Sequence, residues 1–170
     1  FEDSRGRLWI GTNDGGVAVM ENNEFEVIDQ HDGLQTSSIR TITEDGSGNV
    51  IIATNLGLSY IDPQGGLHIF DDPQTATKNI IGLRNAEDGT IYGITKDNLY
   101  FTINDLKITS FYSGDSLGID TVNCIAPVPG EDGMVYMGTV HSELLTADMR
   151  NGMEIRSTVD VSPLVNILLI

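Results

Sequence analysis

Gly6-Arg7-Leu8-Trp9-Ile10-Gly11-Thr12 returns as Gly48-Asn49-Val50-Ile51-Ile52-Ala53-Thr54 and as Gly89-Thr90-Ile91-Tyr92-Gly93-Ile94-Thr95. A fourth copy is Gly133-Met134-Val135-Tyr136-Met137-Gly138-Thr139. The leading glycines are 42, 41 and 44 residues apart. A repeat of about forty residues, made of β-forming residues and Gly-rich turns, is the signature of a β-propeller blade. The expected fold is therefore all-β: about four four-stranded antiparallel blades.

Working outward from the second copy gives a complete blade. Ser38 to Thr43 alternates apolar and polar residues and reads as a strand. Glu44 to Asn49 is a tight turn, Val50 to Thr54 a strand apolar on both faces, and Asn55-Leu56-Gly57 a second turn. Leu58 to Ile61 is the third strand. Asp62-Pro63-Gln64-Gly65-Gly66 carries Pro and Gly, which preset turn dihedrals, and Leu67 to Phe70 is the fourth strand. The same parse gives Asn79–Arg84, Thr90–Thr95, Leu99–Ile103 and Lys107–Tyr112. It also gives Val122–Val128, Met134–Thr139, Glu143–Ala147 and Glu154–Val159. The first copy starts at its second strand, with Arg7–Thr12, Val17–Met20 and Phe25–Ile28. Blades are expected at 1–30, 31–72, 73–113 and 114–160, with 161–170 as the first strand of a further blade. A blade cannot bury its faces alone. The expected whole is a segment of a larger ring. The alternative is that Leu164 to Ile170 completes the first blade and closes a four-bladed ring.

Composition narrows the partners. The chain of 170 residues has 25 acidic and 9 basic residues and a formal charge of −16. Phosphate backbones and anionic membrane surfaces are bound by Lys and Arg clusters, so neither nucleic acid nor such a surface is an expected partner. No apolar run reaches the roughly twenty residues of a membrane span. Much of the acid sits in turns (Glu2-Asp3, Glu44-Asp45, Glu87-Asp88, Glu131-Asp132), where Asp serves local geometry. The single cysteine, Cys124, excludes an internal disulfide and reads as a small strand residue.

The stretch Asp32-Gly33-Leu34-Gln35 through Ser38-Ile39-Arg40-Thr41-Ile42-Thr43-Glu44-Asp45-Gly46-Ser47-Gly48-Asn49-Val50 to Ala53-Thr54-Asn55-Leu56-Gly57-Leu58 resembles the two-component regulator propeller repeat. That pattern is an Asp-Gly-Leu loop, a strand, Glu-Asp and Gly, then Leu-Trp-Ile-Gly-Thr and Gly-Leu. Glu2-Asp3-Ser4-Arg5-Gly6-Arg7-Leu8-Trp9-Ile10-Gly11-Thr12 keeps it closely. The third and fourth copies are degenerate. The resemblance implies the extracytoplasmic sensor of a membrane-anchored bacterial receptor, in a seven-bladed type of propeller. A three-Tyr immunoglobulin-like domain, a membrane helix and a histidine kinase or diguanylate cyclase output would follow in such a receptor. This chain has no phosphoacceptor motif, Gly-rich nucleotide loop or cyclase signature, so the resemblance implies sensing and no enzyme in this segment. Asp3 to Trp9 also resembles the Asp-box of sialidase propellers, which is a structural hairpin.

Site candidates follow from blade geometry. Loops leading into first strands and turns between second and third strands share one end of a blade. Variable polar loops on a rigid scaffold are where recognition concentrates. They offer His31, Asp32, Gln35 and Asp120 from the first class, and Asn13, Asp14, Asn55, Lys96, Asp97 and His141 from the second. The expected ligand is a saccharide or other polar molecule, with no cofactor, and a homodimer or a protein-interaction scaffold is the alternative. Asp45, Ser47 and Asn49 alternate like the start of a calcium loop, but Leu56 stands where the bidentate Glu is needed. His31, His68 and His141 lack zinc spacing; His68, on an outer strand, is expected in solvent. No Gly-x-Ser-x-Gly elbow occurs. No carboxylate pair stands out as glycosidase chemistry requires, so a carbohydrate-active propeller is the weaker reading.

Overall fold

A computed structural model describes residues 1–161. Its strands are β1 (Leu8–Gly11), β2 (Val17–Glu21) and β3 (Glu24–Ile28), then β4 (Ile39–Glu44), β5 (Val50–Thr54), β6 (Gly57–Ile61) and β7 (Leu67–Ile69). They continue as β8 (Ile80–Asn85), β9 (Ile91–Thr95), β10 (Leu99–Asn104) and β11 (Lys107–Ser113). After a short helix α1 (Gly114–Leu117) come β12 (Val122–Pro127), β13 (Met134–Thr139), β14 (Glu143–Asp148) and β15 (Glu154–Asp160). Four sheets result, each a meander in chain order: β1-β2-β3, β4-β5-β6-β7, β8-β9-β10-β11 and β12-β13-β14-β15. This is the all-β propeller-blade architecture the repeat predicts. Ile39, Ile81 and Ile125 lie on β4, β8 and β12, the first strands of their sheets. Ile167 and the closing-strand segment Leu164 to Ile170 lie outside the described residues.

The loop leading into β12, from Ser113 to Asp120, contains α1, because the Ser113 side chain accepts the Ser116 amide and Gly118 closes the helix at φ 66°. The first sheet has three strands, as the first copy's start at its second strand predicts; ahead of β1, Phe1 and Trp9 exchange backbone hydrogen bonds, and Glu2 bridges to Leu8. Phe1-Glu2 stands against β1 as Thr43-Glu44 stands against β5, where Glu44 pairs with Val50.

The repeat has a backbone cause. Gly6, Gly48, Gly89 and Gly133 all have positive φ, between 76° and 85°. That region costs an L side chain about 1–2 kcal/mol, so each first turn keeps its glycine. In the first two copies the preceding Asp completes the turn. Asp3 Oδ1 accepts the amides of Arg5 and Arg7, and Asp45 Oδ1 those of Ser47 and Asn49. Their Oδ2 atoms take the side chain four residues on, Arg7 Nε at 2.7 Å and Asn49 Nδ2 at 2.8 Å. Asp3 Oδ2 also accepts the buried Trp9 indole N–H at 2.8 Å. Ala86 and Gly130 stand at the equivalent positions of the degenerate copies.

The chain divides within β8 into two compact units, Phe1–Leu83 and Arg84–Ile170. In the first, Trp9, Val17, Val19, Leu34, Ile39, Val50, Ile52 and Ile61 form one core. β1 packs on β4 there, and a side chain at Gly11 would collide with Ile39 Cγ2 at 2.6 Å. In the second, β9 packs on β12, and Ile91, Tyr92, Val122, Ile125, Val135 and Met137 are buried. Each fully buried residue of this kind contributes about 1.5–3 kcal/mol over exposure.

Candidate functional site

In each unit the loops that lead into first strands and the turns between second and third strands lie at the same end of their sheets. The repeated Thr holds these turns. Thr12 Oγ1 donates to Gly16 O and accepts the Gly15 amide; Thr54 Oγ1 donates to Gly57 O and accepts the Leu56 amide. Thr95 Oγ1 accepts the Leu99 amide and Thr139 Oγ1 the Glu143 amide. The repeat made these threonines visible; their role as turn closures was not.

In the first unit, consecutive blades are stitched at this end by backbone bonds. Gly16 N–H donates to Ser37 O (2.9 Å), Ile39 N–H to Thr12 O (2.8 Å) and Gly57 N–H to Lys78 O (2.8 Å). Asn13 and Asp14 are exposed beside Thr12. His31 and Asp32 are exposed in the loop before β4. There His31 Nδ1 pairs with Asp29 Oδ1 at 3.0 Å, and Asp32 Oδ2 accepts the Asp29 amide. The His31 amide and ring hold the Asp29 carboxyl below its ordinary range. Gln35 and Asn55 are half-buried, and their side-chain oxygens are fully buried with no hydrogen-bond partner. Asn79, just before β8, has a third such oxygen. It was not a sequence candidate; its only signal was a polar residue directly ahead of an apolar strand.

In the second unit, Lys96 and Asp97 are exposed in the turn between β9 and β10, where Thr95 Oγ1 donates to Asp97 Oδ1 at 2.6 Å. The structure brings His141 and Asp120 together: His141 Nδ1 meets Asp120 Oδ2 in an exposed ion pair. The Asp120 hydrogen bond raises the His141 pKa, and the same bond, with the Thr121 amide, lowers that of Asp120. Beneath them, Asn98 Nδ2 donates to Asp115 Oδ1 and Ile119 O, while Tyr100 donates to Asn98 Oδ1. This network fixes α1 and the loop into β12.

The opposite ends of the sheets are chemically different. Asp3 and Asp45 are engaged by their own hairpins, as is Asp62, which accepts the Gln64 and Gly66 amides and pairs with His68 at 2.7 Å. The Asp45 oxygens that a calcium loop would use are taken by Ser47 and Asn49. His68 is half-exposed as expected, yet it is hydrogen-bonded to Asp62 and stacked on Tyr60 at 4.8 Å between ring centroids. Asp148 accepts Arg150 and Arg156, which hold its carboxyl well below the usual range. Among the described residues, no group of three His, Cys, Asp or Glu side chains is placed to hold a metal, and no helix is long and apolar enough to cross a membrane.

Residues 1–14 match the two component regulator propeller model. That is the family the repeat resembles, and the match falls on the Asp3–Trp9 hairpin and β1. The fold is similar to the extracellular domain of the hybrid two component system BT3049 from B. thetaiotaomicron. Identity to it is 22%, with a TM-score of 0.76, over 96% of this chain and 22% of that one. The extracellular domain of BT4673 from the same organism gives 23% identity and a TM-score of 0.77, over 95% and 23%. Virginiamycin B lyase from Staphylococcus aureus gives 12% identity and a TM-score of 0.72, over 95% and 54%. The chain thus spans less than a quarter of the two receptor domains. No curated protein matches the chain.

Proposed function

We propose that this chain is part of the extracytoplasmic sensing propeller of a membrane-anchored two-component-type receptor. It recognises a polar ligand and carries no catalysis itself. The observation that carries this reading is the contrast between the two ends of the sheets. Turn carboxylates at one end serve their own hairpins, while the other end carries exposed His31, Asp32, Lys96 and His141 and the unpartnered oxygens of Gln35 and Asn55. Asn13, Asp14, Asp97 and Asp120 complete the candidate set. A saccharide or another polar, non-anionic ligand suits these loops, because a net charge of −16 opposes the approach of anions. The likeness to extracellular receptor domains supports the placement outside the cytoplasm.

The test is a double substitution, Asp32→Ala with His141→Ala, in a receptor carrying this segment. Loss of the signalling response with normal folding is expected. An unchanged response would remove these loops from the recognition surface. A second reading, a dimerisation or interaction scaffold without a small ligand, is favoured by one feature: outer strand β3 exposes Phe25 and Val27 at 63% and 56%. Analytical ultracentrifugation of the receptor's extracytoplasmic part separates the two. Dimerisation lost on Phe25→Ser would favour the scaffold.

A further inference from the structure

Three buried side-chain oxygens without partners, Gln35 Oε1, Asn55 Oδ1 and Asn79 Oδ1, lie on neighbouring segments of the first unit. Asn55 N–H donates to Ser38 O at 3.3 Å, which ties the β5–β6 turn to the segment following Gln35. Gly57 N–H donates to Lys78 O at 2.8 Å, which ties the same turn to the residue before Asn79. Gly57 itself, at φ 108°, faces oxygen. A carbon built on it would stand 3.0 Å from Thr75 O, 3.1 Å from Ala76 O and 3.1 Å from Gln35 Oε1. Thr75 is fully buried, so this wall is held in place. A buried acceptor left unpaired costs about 1–3 kcal/mol, and native folds rarely leave several together.

We propose that Gln35, Asn55 and Asn79, with the carbonyls of Thr75 and Ala76, bind a monovalent cation of the potassium or sodium class. Every donor in the set is a neutral carbonyl oxygen. Carbonyl oxygens replace the hydration shell of alkali ions. Calcium and magnesium draw on carboxylates, and zinc on imidazole or thiolate, none of which belongs to this set. One water has two protons to donate and leaves at least one of the three amide oxygens unpaired. The charge of −16 raises the local concentration of cations. The site lies among the loops assigned above to recognition, but it does not depend on that reading.

The experiment is thermal unfolding of the chain in potassium, sodium or choline chloride at one ionic strength. Choline supplies the same charge on a bulky quaternary ammonium, which carbonyl oxygens do not coordinate as they do an alkali ion. A ligand that binds only the folded state raises Tm by mass action. The expected result is a saturating rise of about 2–4 °C, the shift for roughly 1 kcal/mol in a domain of this size, in potassium or sodium over choline. Asn79→Leu should abolish this increment, and if that variant does not fold, Gln35→Ala serves the same purpose. Crystals soaked in thallium should show an anomalous peak among the three amide oxygens. Equal Tm in all three salts, an increment that survives both substitutions, or an ordered water with no anomalous signal would each overturn the proposal. These readouts are independent of signalling, so they can fail while the sensing reading stands.

Discussion

Trp9 shows how one side chain joins turn, strand and core. It is 2% exposed and packs among Val17, Val19, Ile39 and Ile52. Its indole donates to Asp3, and the Arg7 guanidinium lies 4.9 Å over its ring. Burial works to raise the Asp3 pKa, but the bonds from Trp9 and Arg7 outweigh it and the carboxyl stays ionised below its usual range. Trp9→Ala should cost about 3–5 kcal/mol, from lost transfer energy and a cavity; a urea midpoint that hardly moves would contradict this burial. His141 offers a second test. Its pKa is raised by Asp120, so the charged pair is present below the ordinary histidine range and is lost as pH rises through the raised value. Asp120 is lowered, so its contribution is lost only as pH falls through that lowered value. The His141 ring resonances should titrate above those of a free histidine, and Asp120→Asn should bring them down. An unchanged titration would show that the pair does not form in solution.

At the scale of the element, the first-turn glycine is the feature most open to experiment. No atom lies within 4 Å of a carbon built on Gly89, whose φ is 85°. Gly89→Ala therefore tests the backbone alone and should cost about 1–2 kcal/mol. A cost near zero would mean that the turn relaxes. The strands were legible because alternation and a fixed period mark them, and their ends moved by only a residue or so. Helix α1 was not legible: four residues carry no periodicity, and it exists through the Ser113 cap and the Asn98 network. The pairing of His141 with Asp120 was not legible either. It joins the loop before β12 to the β13–β14 turn, 21 residues apart, and pattern cannot supply that proximity. The unpartnered oxygens of Gln35, Asn55 and Asn79 are likewise a product of packing, although loop class had singled out the first two.

At the scale of the molecule, the two ends of the sheets differ in chemistry. In the first two copies, hairpins at one end use Asp carboxylates to hold the first turn. Loops at the other end are varied and carry the candidate recognition groups. This division predicts different effects of substitutions that look alike on paper. Equilibrium urea denaturation of Asp45→Ala beside Asp32→Ala measures it directly. Asp45 accepts three hydrogen bonds within its turn, and its loss should cost about 1–3 kcal/mol. Asp32 lies in an exposed loop, where a single amide bond is at stake, and its loss should stay within about 0.5 kcal/mol. Equal costs, or a larger cost at Asp32, would contradict the division on which the functional reading stands.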